Sequence, residues 1–261
     1  MKGKHILITG ASSGIGEAVA KKAAAQGANL TLVARNTKKL TRLAKDLAAQ
    51  YDTTTLVVKC DMSDPKQIER MVKKSVHRFK NIDVLMNCAG YGTFKEAIEF
   101  TYDEIVEMFK VNTFGMMHLA NLAVLHMKRG SRIFFVSSIA GKIATPASSV
   151  YSATKSAILS YSDALRLELK SKGIRVTTIN PGPVRTEFFN HDERSKTYYE
   201  RIKDISLSAE DLANLIIRVM NNQPSRREIN TPNIMALAAN LYHLFPKIGD
   251  HLTLNTFNYK T

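Results

Sequence analysis

The stretch His5-Ile6-Leu7-Ile8-Thr9-Gly10-Ala11-Ser12-Ser13-Gly14-Ile15-Gly16 decides how the rest of the chain is read. His5 to Thr9 is a short apolar, β-branched run that ends at a glycine, the pattern of a buried strand. Glu17 to Gln26 then reads as a helix, and Gly27 is its stop signal. In a strand–glycine turn–helix context, backbone N–H groups can approach a pyrophosphate, and the helix N-terminus favours its negative charge. The spacing is Gly-x-x-x-Gly-x-Gly rather than the commoner Gly-x-Gly-x-x-Gly. The context predicts dinucleotide binding by Gly10, Ser12, Ser13, Gly14, Ile15 and Gly16; a tight turn without a ligand is the alternative.

The pattern continues outward. Ala28 to Ala34 reads as a second strand, Thr37 to Gln50 as a basic amphipathic helix, and Thr55 to Lys59 as a third strand. A Rossmann-type unit usually carries an acid about 20 residues past its glycines, to grip the ribose 2′-hydroxyl. Here Ala34-Arg35-Asn36 occupies that place. The planar guanidinium of Arg35 suits a 2′-phosphate, so the chain is expected to take NADP(H). Asp61 and Met62 follow the third strand, where a loop would cross an adenine pocket; the alternative for Asp61 is to begin a turn, with Ser63 or Asp64 capping a helix that opens at Pro65. That helix is expected to reach about Lys80, and Ile82 to Met86 is the fourth strand. Asn87-Cys88-Ala89-Gly90 then offers small residues for close backbone approach to a ligand. A long helix is expected from Asp103 to about Lys128, with Asn112 among apolar residues as a structural hydrogen-bonder or part of a relay. Ile133 to Val136, the helix Tyr151 to Lys170 and the strand Ile174 to Ile179 complete the alternation. Six strands alternating with helices predict a single-domain α/β fold, a doubly wound parallel sheet with ligands at the strand C-termini.

The chemistry is expected in Ser138 to Lys155. Tyr151 and Lys155 are four residues apart, so phenol and ammonium share one helix face. A free phenol titrates near 10, too high for easy proton exchange at neutral pH. A nearby ammonium is expected to lower that value, and Ser138 to share a substrate oxygen with Tyr151. The pattern Tyr-x-x-x-Lys occurs three times, at Tyr91/Lys95, Tyr151/Lys155 and Tyr199/Lys203. Only the second has a serine upstream at a strand end.

Composition sets the outer bounds. The 261 residues are 44% hydrophobic and 23% charged, ordinary for a globular protein. Cys60 and Cys88 lie in apolar segments and read as buried thiols; no histidine or carboxylate spacing suggests a metal. The N-terminus runs straight into a strand, which points to a cytoplasmic protein without a signal peptide. The net charge of +14 is scattered over helix faces without interleaved aromatics, so no nucleic-acid partner is expected.

These motifs, in this order, resemble the short-chain dehydrogenase/reductase family: Thr9-Gly10-x-x-x-Gly14-x-Gly16, Asp61, Asn87-x-Ala89-Gly90, Asn112, Ser138, Tyr151-x-x-x-Lys155 and Pro181-Gly182-x-Val184-x-Thr186. The resemblance covers residues 4 to 230; Cys88 stands where the family often has a second asparagine. It implies an oxidoreductase in which Tyr151 is the general acid/base, Lys155 tunes Tyr151 and binds the nicotinamide ribose, and Ser138 polarises the carbonyl. Asn112 would support a water-linked proton relay. The glycine loop would hold the pyrophosphate, Asp61 and Met62 the adenine, Asn87, Ala89 and Gly90 the adenosine side. Pro181, Gly182, Val184 and Thr186 would form the nicotinamide-holding turn. The implied reaction moves a hydride between NADP(H) and a small-molecule carbonyl or secondary alcohol. A non-catalytic dinucleotide-binding sensor or scaffold is the alternative. The resemblance also implies a homodimer or homotetramer, paired through the helices near 103–128 and 151–170.

The substrate side is read from apolar residues. Glu187 to Ser206 is expected to be a variable loop carrying Phe188, Phe189, Tyr198 and Tyr199 toward an apolar, medium-sized substrate, with Phe94, Ile139 and Ile143 as further lining. Anchoring of the loop on the core is the alternative use of those aromatics. From Pro232 to Leu252, Ile234, Leu237, Leu241, Phe245, Ile248 and Leu252 recur at helical spacing, broken by Pro246, within a C-terminal amphipathic tail of residues 232–261. Packing on the chain's own core or on a partner subunit is favoured for this tail over covering the pocket or contacting a membrane surface.

Overall fold

A computed structural model describes residues 1–190, 193–221 and 226–255. Residues 191–192 of the predicted substrate loop and the end of the tail, 256–261, lie outside the described residues. Strands β1 (His5–Thr9), β2 (Asn29–Ala34), β3 (Thr55–Lys59), β4 (Val84–Asn87), β5 (Arg132–Val136), β6 (Arg175–Pro181) and β7 (Glu228–Thr231) form one parallel sheet in the order 3-2-1-4-5-6-7. The chain doubles back between β1 and β4, where Thr9 pairs with Asn87. This is the predicted doubly wound architecture, in a single domain, with β7 as one edge.

Strand period separates two cores. Ile6, Ile8, Leu30, Leu32, Phe134 and Ile179 face one side, and helices α1 (Gly14–Ala24), α2 (Thr37–Gln50) and α8 (Ala209–Asn221) cover them. Leu7, Val33, Leu85, Ile133, Phe135 and Val176 face the other, under α3 (Pro65–Phe79), α5 (Gly115–Val124) and α6 (Ser149–Glu168). With helices on both faces, both strand faces must be apolar, which is why the strands read as continuous hydrophobic runs.

Helix starts follow the capping chemistry. Asn36 caps α2 by accepting from the Lys39 N–H at 3.1 Å, and Asp64 caps α3 by accepting from Lys66 and Gln67. Thr101 and Glu104 form a reciprocal capping box at the start of α4 (Tyr102–Phe109).

Two expectations change, and the one for the tail's proline break holds. The predicted helix from 103 to 128 is interrupted: α4 and α5 are separated by a π-helical turn, Lys110–Phe114. That turn carries Asn112, which is fully buried. The predicted loop 187–206 contains a helix, α7 (Glu193–Ile202), flanked by short helical turns at Glu187–Phe189 and Lys203–Ile205. Its ends are tied by a short parallel pairing of Val184–Arg185 with Leu207–Ser208. The tail forms two helices, α9 (Asn233–Leu244) and α10 (Pro246–Asn255), with the break at the predicted proline. No helix among the described residues is long and apolar enough to cross a membrane.

Gly115 shows how tightly the second layer is set. A Cβ there would meet the Met62 carbonyl oxygen at 2.1 Å. Gly115→Ala is expected to cost about 1–3 kcal/mol through this overlap, lowering Tm by roughly 2–9 °C in a chain of this size. A scanning-calorimetry Tm equal to that of the unsubstituted protein would show that α5 can back away freely.

Candidate active site

The site is built where β1, β4, β5 and β6 end. The Thr9 hydroxyl accepts the N–H groups of Cys88 at 3.1 Å and Ala89 at 3.2 Å, locking the loops after β1 and β4 together. Gly10 (φ +67°) is required at that seam: a Cβ would lie 2.9 Å from the Ala89 nitrogen. Gly14 (φ +56°) lies under Thr186, whose Cγ2 would meet an added Cβ at 2.9 Å. Glycines therefore let three loops touch through backbone and small side chains. Unlike α2, α3 and α4, helix α1 has no side-chain cap, because Ser13 makes no cap hydrogen bond. Its first N–H groups suit a phosphate, so the donor set fits a dinucleotide pyrophosphate.

Tyr151 and Lys155 lie in the first turns of α6, both buried. Ser138 ends the strand β5 segment, and its hydroxyl accepts the Ala140 N–H at 3.1 Å to start the following turn. That turn is pinned to α6: Ser156 Oγ donates to the Gly141 carbonyl at 2.8 Å, and Ser137 Oγ donates to the Lys155 carbonyl at 2.9 Å. Ser138 is thereby placed beside the Tyr151 phenol, and the two line one cavity. Lys155 Nζ donates to the Val136 carbonyl at 3.0 Å and lies 5.6 Å from the Tyr151 ring centre.

The electrostatics differ from the expectation in one respect. Burial pushes the Tyr151 phenol up to about 12, and the Ser138 hydrogen bond opposes it. Burial is the largest influence on the phenol, and the Lys155 ammonium donates to the Val136 carbonyl. Burial in turn pushes Lys155 down to about 8, with Cys88 opposing. In both groups burial disfavours the charged form.

Asn112 clamps the loop after β4. Its Oδ1 accepts from Tyr91 N at 3.0 Å, and its Nδ2 donates to Tyr91 O at 2.7 Å and to Thr154 Oγ1 at 3.2 Å. It is thus a structural hydrogen-bonder here. A Cβ on Gly90 would sit 3.0 Å from Asn112 Oδ1 and 3.4 Å from Lys155 Nζ, so both atoms border one small space.

A cavity of about 600 Å³ opens in front of this group. Ser138, Tyr151, Lys155, Ile15, Gly90, Pro181, Gly182, Val184 and Thr186 of the predicted site line it. So do Phe94, Ile139, Ile143, Phe188, Phe189 and Tyr198, as expected for a substrate wall, but not Tyr199, which stacks on Phe189 at 5.3 Å. The remaining predicted cofactor residues lie outside it. Arg35 is exposed at the end of β2, Met62 is buried in the core under α3 and α5, and Asn87 is buried with neither side-chain polar atom partnered. Asp61 Oδ1 accepts from Ser63 N and Ser63 Oγ at 2.9 Å, the turn-forming role. The other two Tyr-x-x-x-Lys pairs are surface pairs: Lys95 bonds Glu104 at 2.7 Å and Lys203 bonds Glu200 at 2.9 Å.

Sequence reasoning missed two contributors. Gly92 abuts the Tyr151 ring, since a Cβ there would meet Tyr151 Cδ2 at 2.9 Å and Phe188 Cζ at 3.0 Å. Its signal was a glycine two residues after Gly90. The tail helices were expected on the core or a partner, yet Met235, Leu241, Tyr242, Phe245, Ile248 and Leu252 wall the cavity. Periodicity marked their apolar face but could not say what it would face.

Comparison with known proteins agrees with this geometry. The family model described as short chain dehydrogenase matches residues 4–197. A Schizosaccharomyces pombe NADP-dependent 3-hydroxy acid dehydrogenase is 37% identical over 225 residues, spanning 83% of this chain and 86% of that protein. An alcohol dehydrogenase from Thermococcus sibiricus, solved with 5-hydroxy-NADP, superposes with a TM-score of 0.79 at 26% identity over 87% of this chain and 95% of that one. A Burkholderia phymatum short-chain dehydrogenase/reductase solved with NAD has the same fold, with a TM-score of 0.84 at 24% identity over 95% of both chains. The chain belongs to the short-chain dehydrogenase/reductase family of oxidoreductases.

The buried ammonium has a thermodynamic signature. Folded Lys155 loses its proton near pH 8, whereas an unfolded lysine keeps it to about 10.5. In that window the unfolded chain binds more protons, so this group adds stability as pH rises. Relative to Lys155→Met, the cofactor-free protein is expected to gain Tm between about pH 7.5 and pH 9.5. A Tm difference that stays flat or reverses over that range contradicts the depressed value.

Proposed function

We propose that this chain is an NADP(H)-dependent oxidoreductase acting on an apolar, medium-sized carbonyl compound or secondary alcohol. The observation that carries this reading is the grouping of Ser138 with the buried Tyr151 and Lys155 on the wall of an apolar cavity, beside the glycine loop. A bound nicotinamide supplies or accepts the hydride. Ser138 and Tyr151 together hold the substrate oxygen, and in reduction Tyr151 protonates the forming alkoxide. A phenol pushed up to about 12 is fully protonated at neutral pH, which suits a proton donor. Lys155, down to about 8, still carries most of its charge at neutral pH and can bind the nicotinamide ribose. The space shared by Asn112 Oδ1 and Lys155 Nζ supports a water-linked route for replacing the proton.

Arg35 supports the choice of phosphate-bearing cofactor, because the end of β2 offers a cation and no acid for a ribose diol. The Schizosaccharomyces pombe relative is NADP-dependent. Its 3-hydroxy acid substrate, however, brings a carboxylate, and Lys155 is the only cationic side chain lining the cavity among the described residues. An uncharged carbonyl fits that lining better. Exposed Phe114, Leu125 and Leu167, in the segments that carry α5 and α6, support pairing into a homo-oligomer.

Tyr151→Phe is expected to bind NADPH with near-normal affinity in a fluorescence titration, yet to lose at least about a thousandfold in kcat on any carbonyl the unsubstituted protein reduces. Retention of most of that turnover would remove Tyr151 from the proton-transfer role. Arg35→Ala is expected to weaken NADPH at least tenfold, about 1.4 kcal/mol or more, while NADH binding changes little. Equal losses for both cofactors would mean that Arg35 does not read the 2′-phosphate.

A further inference from the structure

We infer that the α9–α10 hairpin forms a second compartment of the active-site cavity, which takes an uncharged aliphatic or ring-fused tail attached to the reacting carbonyl. This rests on the oxidoreductase reading for the carbonyl itself, but the compartment is defined by its own geometry.

One end of the cavity is bounded by the catalytic group and the loops after β4 and β6. The other is bounded by the hairpin. Met235 and Ala238 contribute from α9, close to where that helix leaves β7. Leu241, Phe245, Ile248 and Leu252 line the same cavity and yet remain 46%, 55%, 61% and 43% exposed. Side chains that face a cavity and solvent together mark its mouth. The cavity is therefore a passage that leads from Tyr151 to the surface between apolar side chains.

The hairpin is built to hold this shape. At Gly249 a Cβ would meet Tyr242 Cδ2 at 2.3 Å, so α9 and α10 come together at a glycine. The Tyr242 hydroxyl donates to Asp250 Oδ1 at 2.7 Å, which fastens the contact and turns the carboxylate of α10 toward a protein donor. Among the described residues, no acid lines the cavity and its single cation, Lys155, is engaged by the Val136 carbonyl at 3.0 Å. A charged tail would lose its hydration here without gaining a partner, whereas each buried methylene is favourable.

Calorimetric titration of the protein–NADP+ complex with the 1-alkanols from butanol to decanol tests the compartment. One site per chain is expected, with affinity rising about threefold per methylene. In Ile248→Asp and, separately, Leu252→Asp, the decanol-to-butanol affinity ratio is expected to fall by about tenfold or more, a within-protein ratio that does not depend on the fraction folded. A flat chain-length series in the unsubstituted protein, or an unchanged ratio in both variants, overturns the inference; so does decanoate binding as tightly as decanol. The matching 2-alkanones with NADPH separate the two readings. Chain-length-dependent alkanol binding with no ketone turned over supports the compartment and removes the proposed reaction. Turnover of ketones without chain-length dependence in either assay removes the compartment alone.

Discussion

An ammonium group is held inside this protein without a carboxylate partner among the described residues, and much of the site's construction follows from that constraint. Lys155 Nζ is met by the Val136 carbonyl, an acceptor freed because β5 ends there. The carbonyl of the same lysine is met by Ser137 Oγ. The end of one strand thus satisfies both the head and the backbone of one helical residue. Removing a charge from water is costly, and the group answers by a lowered pKa rather than by an ion pair. Helix α6 is long enough, at 20 residues, to anchor this arrangement through Ile158 and Leu165 in the core. The cost is borne by the surrounding fold, as is usual where a site must keep a poised proton.

The second requirement is close approach of loops that come from distant parts of the chain. Parallel strands deliver all their C-terminal loops to one edge, and the reversal between β1 and β4 opens a crevice there. Gly10, Gly14 and Gly90 leave that crevice free of side chains, while Thr9 and Thr186 act as spacers between the loops. The same loops keep Tyr151 in place from behind, through Gly92 and Phe188. The glycine-lined crevice and Tyr151 therefore share one set of backbone contacts.

Beyond the catalytic group the structure changes in character. Phe94, Tyr151, Phe188, Phe189 and Tyr198 form a connected aromatic cluster, with Phe94 and Tyr151 ring centres 5.5 Å apart. These rings both anchor the segment around α7 and line the cavity, so the two readings of the aromatics are the same contacts seen from two sides. An exposed ion pair, Lys39 with Glu187 at 2.6 Å, ties the start of that segment to α2. Such a pair contributes little stability by itself. The tail hairpin completes the wall with fewer buried residues, Ala239 and Thr253 among them.

Local sequence determined much of the order of strands and helices, because most strands of the sheet are apolar runs and several helices carry a cap of their own. The boundaries of α2, β3 and α8 follow directly from Asn36, from the run Thr55–Lys59 and from Ser208. It also set one of three equal Tyr-x-x-x-Lys patterns apart, since only one followed a strand-end serine. Tertiary structure alone decided the rest. The π turn at Asn112 has no local signature, because it arises where α5 must pass the Met62 carbonyl without a side chain. The direction of the Lys155 ammonium depends on a carbonyl 19 residues away, so spacing on one helix could not show where it points or that burial is the largest influence on the phenol. The destination of the tail's apolar face was equally hidden: periodicity states that a face is apolar, and only packing in three dimensions brings it to the far wall of the active-site cavity.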